Sequence, residues 1–197
     1  MTDHNPELTQ IESKLNTLRS IDPSFRPGKK MTDSEVEAWE RRFRVSLPAE
    51  YRQFVQRIGH GVSGHYVALH PLDKRSMEDA TDRKNLYKPF KWDNSFNPED
   101  WTNPCDEEGV VCDADDQFLG FELPGALYVC HHGCGICSFI VVTGNCTGQV
   151  WLDSQADGEG FTPVLNSKGE RVGFLEWYQQ WLDKSIASLS SSPSAQL

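Results

Sequence analysis

Apolar residues recur at helical spacing in four stretches of this chain and alternate at strand spacing in five more. The first helical stripe is Leu8, Ile11, Leu15 and Leu18, with Asn5 placed to cap it, Pro6 at its first position, and Pro23 and Pro27 closing it. Ser34 followed three residues on by Glu37 reads as a capping box for a second helix that aligns Val36, Trp39 and Phe43. A third helix begins at Pro48, carries Leu47, Tyr51, Phe54, Val55 and Ile58 on one face, and stops at Gly59. Near the C-terminus, Phe174, Trp177, Tyr178, Trp181, Leu182 and Ile186 predict a helix over 173–187 whose apolar face lies on a sheet. The Ser-rich stretch 188–197 reads as a frayed, flexible tail.

Strand patterns fall at 66–72, 126–131, 136–142, 148–153 and 161–165, and the last four follow one another through short glycine-bearing links. This order predicts an α+β fold: a mostly antiparallel sheet of about five or six strands, with the N-terminal helices and the C-terminal helix packed against it. Between about Arg75 and Pro124 the pattern weakens into a polar, acidic region punctuated by Trp92, Pro98, Trp101 and Pro104, in which no element is assigned. A chain of 197 residues fits one domain, placed here at 1–187, that buries roughly 70% of the surface its unfolded form exposes.

Charge changes this picture, because the formal net charge of −10 is unevenly spread. Residues 92–167 contain no Lys or Arg but carry Asp93, Glu99, Asp100, Asp106, Glu107, Glu108, Asp113, Asp115, Asp116, Glu122, Asp153, Asp157 and Glu159. Such a surface repels nucleic acid and favours a basic protein partner. The chain starts without a basic segment leading into an apolar run, and no stretch approaches the roughly 18 apolar residues of a membrane span, so a cytoplasmic location is expected. In that setting Cys105, Cys112, Cys130, Cys134, Cys137 and Cys146 are reduced thiols rather than a disulfide framework.

Cys130, Cys134 and Cys137, with His131 and His132, supply enough soft ligands for a tetrahedral zinc site. With 132–135 as the turn, however, Cys130 and Cys137 lie opposite each other on paired strands and Cys134 points away, while Cys112 and Cys146 are isolated. Packing under the C-terminal helix is the simpler role, and a Cys130–Cys137 crosslink could form under oxidation. Cys134-Gly135-Ile136-Cys137 has the spacing of a redox pair but strand-like flanks, where that chemistry uses a helix N-terminus. Gly-x-Ser-x-Gly, His-x-Glu, a phosphate-binding loop and Gly-x-Gly-x-x-Gly are all absent, so no catalytic residue, metal or cofactor is assigned.

Three segments carry a family likeness in their order: Leu47-Pro48-Ala49-Glu50-Tyr51-Arg52-Gln53-Phe54-Val55, then His131-His132-Gly133-Cys134-Gly135-Ile136-Cys137 running into Gly148-Gln149-Val150-Trp151-Leu152-Asp153, then Phe174-Leu175-Glu176-Trp177-Tyr178-Gln179-Gln180-Trp181-Leu182. Together they resemble the SUKH superfamily, the Smi/Knr-like group. The resemblance implies a binding protein rather than an enzyme. In bacteria that means an immunity protein, which neutralises a cognate toxin; in fungi it means a regulatory interaction module. It also implies that Leu47, Pro48, Tyr51, Gly133, Cys134, Gly135, Gly148, Trp151, Trp177 and Trp181 determine the fold.

The partner expected from charge is a protein toxin with a basic surface, a nuclease being one fit, met by a monomer or weak dimer without nucleic acid or membrane. Candidate contacts are Trp92, Glu99, Asp100, Trp101, Asp106, Glu107, Glu108, Asp113, Asp115 and Asp116. Tryptophans rimmed by charge typify interface hot spots, although Trp92 and Trp101 could equally anchor their own loop.

Overall fold

The computed structural model describes residues 5–63, 68–72, 83–97 and 123–191. It is an α+β fold, as expected, with four helices and an antiparallel meander of strands among those residues. The elements are α1 (Pro6–Ile21), β1 (Arg26–Lys29), α2 (Asp33–Phe43), α3 (Ala49–Arg57), β2 (His60–Ser63), β3 (Ala68–Leu69), β4 (Ala126–Gly133), β5 (Ile136–Val141), β6 (Val150–Ser154), β7 (Gly160–Pro163) and α4 (Phe174–Ser191). A β1–β2 pair joins the four-stranded β4–β7 meander through the two-residue β3.

Helix α1 forms as its stripe predicts. The Asn5 side chain accepts from the Glu7 and Leu8 amides, and Leu8, Ile11, Leu15 and Leu18 are buried. The second helix starts two residues earlier than anticipated. Thr32 and Glu35, rather than Ser34 and Glu37, make the reciprocal box: the Glu35 amide donates to Thr32 Oγ1 (3.2 Å) and the Thr32 amide to Glu35 Oε2 (2.8 Å). Both pairs fit the motif. Glu35 prevails because Lys29 reaches it as well (2.6 Å), and Lys29 together with Thr32 draws its carboxyl down to about 2.

Strands β1 and β2 lie in stretches that carry no strand pattern. Arg26-Pro27-Gly28-Lys29 pairs with His60-Gly61-Val62-Ser63 because Gly28 lets the two backbones touch: a Cβ there would overlap the carbonyl oxygens of His60 and Gly61. At the other end, α4 runs on to Ser191, into the stretch expected to fray. Ile186 and Leu189 pack against the core and hold the last turns.

The sheet separates two cores. On one face the helices cover Leu127, Val129, Cys130, Ile140 and Val150; on the other, Tyr128, Cys137, Phe139, Val141, Trp151 and Phe161 form a largely aromatic cluster. Register decides which face each cysteine takes, and it differs from the expectation. The turn is the two residues Cys134 (φ 52°) and Gly135 (φ 80°), closed by Gly133 opposite Ile136, and a register shift between His131 and Gly133 then pairs His131 with Cys137 and Cys130 with Ser138. A bulge puts the consecutive Val129 and Cys130 on the helix side, while Cys137 faces the aromatic cluster. The two thiols lie on opposite faces, and the anticipated Cys130–Cys137 crosslink has no geometric basis.

Candidate functional site

The aromatic face is where the sheet meets the start of the acidic region. Trp151 on β6 is fully buried, and residues 86–97 lie across it. The Phe90 ring stands 5.1 Å from Trp151, Phe96 5.5 Å from Trp151, and Trp92 5.1 Å from Phe161 and 5.2 Å from Phe96. The Phe90 amide donates to the Thr143 carbonyl (2.7 Å), and the Thr143 hydroxyl to the Leu86 carbonyl (2.7 Å). Gly125, at φ +69°, permits this approach, since a Cβ there would sit 2.5 Å from the Thr143 carbonyl oxygen.

Arg171 fastens the segment. Its guanidinium donates to the carbonyls of Asp93 (3.1 Å), Asn94 (3.1 Å) and Phe96 (3.2 Å) and lies 5.1 Å above the Trp151 ring. Asp93 adds a turn of its own: Oδ1 accepts from the Ser95 amide (2.8 Å) and hydroxyl (2.6 Å), and these bonds hold the carboxyl below its ordinary range. The chain therefore leaves for the acidic region from a fixed base. Among the sequence candidates, Trp92 is placed here as a half-buried ring in the aromatic cluster. Glu99, Asp100, Trp101, Asp106, Glu107, Glu108, Asp113, Asp115 and Asp116 lie outside the described residues.

A buried polar pair sits beside Trp151. The Tyr128 hydroxyl donates to Asp153 Oδ2 (2.6 Å), and Oδ1 accepts from the Gln155 amide (3.1 Å) and side chain (3.2 Å). Burial raises the Asp153 pKa against the opposing pull of these bonds. The folded state thus holds the proton more tightly than the unfolded chain, so this group's stabilisation is complete at acid pH. It is lost as pH rises from the unfolded aspartate value through the folded one. We expect Asp153→Asn, which keeps an acceptor for Tyr128, to gain melting temperature relative to the parent as pH rises above the unfolded aspartate value of about 4. A parent-minus-variant difference that stays flat with pH would remove Asp153 as the cause.

The cysteine and histidine cluster does not assemble into one site. Cys130 Sγ is 3.9 Å from His132 Nδ1, and His132 Nε2 is 2.7 Å from Ser138 Oγ, but Cys137 is on the far face and Cys134 is exposed at the turn. Among the described residues no three His, Cys, Asp or Glu side chains could hold a metal together. Burial pushes the Cys130 thiol up to about 12, with Cys137 adding to it, and desolvation followed by His131 lowers His132. A protonated thiol beside a neutral imidazole supplies no nucleophile at neutral pH.

No motif marks Arg171 or the Tyr128–Asp153 pair in the sequence, although strand alternation puts Asp153 on the same face as Trp151. The residues of the family likeness fall in three places: Leu47, Tyr51 and Trp177 are buried in the helix-side core with Trp181 half-buried against Phe25 and Tyr178, Trp151 is buried in the aromatic core on the other face, and Gly133, Cys134 and Gly135 lie at the β4–β5 turn. Pro48 Cβ lies 3.9 Å from where a Cβ of Gly148 would be.

The SMI1 / KNR4 family model (SUKH-1) matches residues 30–170, from just before α2 to the residue preceding Arg171. The chain belongs to the SMI1/KNR4 (SUKH-1) family. No curated protein and no solved structure matches it. The family match therefore takes in α2, α3, the meander and the acidic region, but neither α1 nor α4 with Trp177 and Trp181. Among the described residues no helix is long and apolar enough to cross a membrane.

Proposed function

We propose that this SUKH-1 protein is a non-enzymatic, cytoplasmic immunity protein that binds a cognate toxin through its acidic surface and covers that toxin's basic active-site groove. The observation that carries this reading is the run from 92 to 167, with thirteen carboxylates, of which Asp153 is buried, and no Lys or Arg. A nuclease toxin suits it best, because a groove that holds phosphates is itself positive. Family membership favours a protein partner, and the Arg171 clamp gives the acidic region a rigid point of departure, which lowers the ordering cost of binding.

The test is affinity capture. The immobilised protein, exposed at low salt to lysate of its source organism, should retain a toxin domain that elutes as salt is raised. The retained domain should lose its own activity when the protein is added back. Capture of no toxin, or of one that stays active in the complex, would overturn the proposal.

A further inference from the structure

Away from the acidic region, α1, β1 and α3 border an open cleft of about 310 Å³, near the lower end of the range for small-molecule sites. Its floor is apolar, made by the buried Leu15 and Ile58 with Pro27 beside them. Its walls carry three cations, Arg19, Lys30 and Arg57, against the single carboxylate of Glu12. That carboxylate is already committed: Arg57 donates to it through Nε (3.1 Å) and Nη2 (2.7 Å), and Nη2 also reaches Thr9 Oγ1 (2.9 Å). Arg57 and Lys30 both hold the Glu12 carboxyl below its ordinary range, so it stays ionised and paired.

Arg19 and Lys30 make no ion pair with any carboxylate among the described residues. Two cations without an ion-pair partner, Lys30 acting on Glu12 only at longer range, thus line a cleft that also carries apolar side chains, on a chain whose net charge is −10. We infer that this cleft binds a small organic oxyanion, a carboxylate or phosphate head held by Arg19 and Lys30 with a short aliphatic body laid on Leu15, Pro27 and Ile58. No aromatic side chain among the described residues lines the cleft for a nucleobase to stack on. The inference is independent of the toxin-binding reading, since the cleft shares no residue with the acidic region.

The test is an amide and arginine side-chain NMR titration of the full chain at constant ionic strength, with acetate, hexanoate and hexyl phosphate as probes. We expect saturable shifts confined to residues around 15–19, 27–30 and 57–58, with hexanoate binding at least several-fold more tightly than acetate because of the apolar floor. Comparing hexanoate with hexyl phosphate identifies the preferred head group. The double variant Arg19→Gln/Lys30→Gln alters two exposed side chains, should keep the parent melting temperature, and should weaken binding at least tenfold. Shifts that never saturate, equal affinity for acetate and hexanoate, or a double variant that titrates like the parent would each overturn the assignment.

Discussion

Trp151→Ala should destabilise the protein by about 3–5 kcal/mol, the range for truncating a fully buried tryptophan. Its ring is wholly inaccessible and lies within 6.5 Å of the rings of Phe90, Trp92, Phe96 and Phe139, with the Arg171 guanidinium on its face. The loss is one of packing, because Trp151 Nε1 is buried without a hydrogen-bond partner among the described residues. For the same reason Trp151→Phe should recover more than half of the loss: it keeps an aromatic ring and removes an N–H whose desolvation nothing offsets. Denaturant midpoints at unchanged m value measure both effects. Amide exchange of residues 90–97 should accelerate in the alanine variant, since those residues rest on this ring. A loss under about 1 kcal/mol would mean that the aromatic face is not a packed core.

The parts of the fold that could be read from the chain were those in which one segment carries its own pattern. The stripes of α1, α3 and α4 and the alternation in β4 to β7 record burial directly, since a side chain's face follows from helical or strand periodicity. What stayed hidden depends on a distant partner. The β1–β2 pair is built from proline, glycine and charged residues and exists because Gly28 can lie against the His60 carbonyl. The faces taken by Cys130 and Cys137 turn on one bulge, which leaves no mark in composition. Arg171 carries no signal in the sequence, because its acceptors are main-chain carbonyls 75 to 78 residues earlier. The candidate interface shows the same division. Its charge was plain from the sequence, whereas its anchoring through Trp92, Trp151 and Arg171 needed the fold.

That anchoring shapes the second large effect. Replacing Asp106, Glu107, Glu108, Asp113, Asp115 and Asp116 together by Lys should slow association with the captured toxin domain by on the order of 100-fold or more at low salt, the difference between steered and unsteered encounter. Because steering acts through unscreened charge, the gap between parent and variant should narrow as salt is raised toward about 1 M, where the Debye length falls to about 3 Å. The melting temperature, measured alongside, checks that the charge reversal leaves the fold intact. Replacement by Asn and Gln instead of Lys should give an intermediate rate, because it removes attraction without adding repulsion. Stopped-flow association at several salt concentrations separates these terms from changes in dissociation. Rates that are identical in parent and variant at every salt concentration would take this segment out of the interface. The toxin would then have to be held by the remaining carboxylates or by a different face of the sheet.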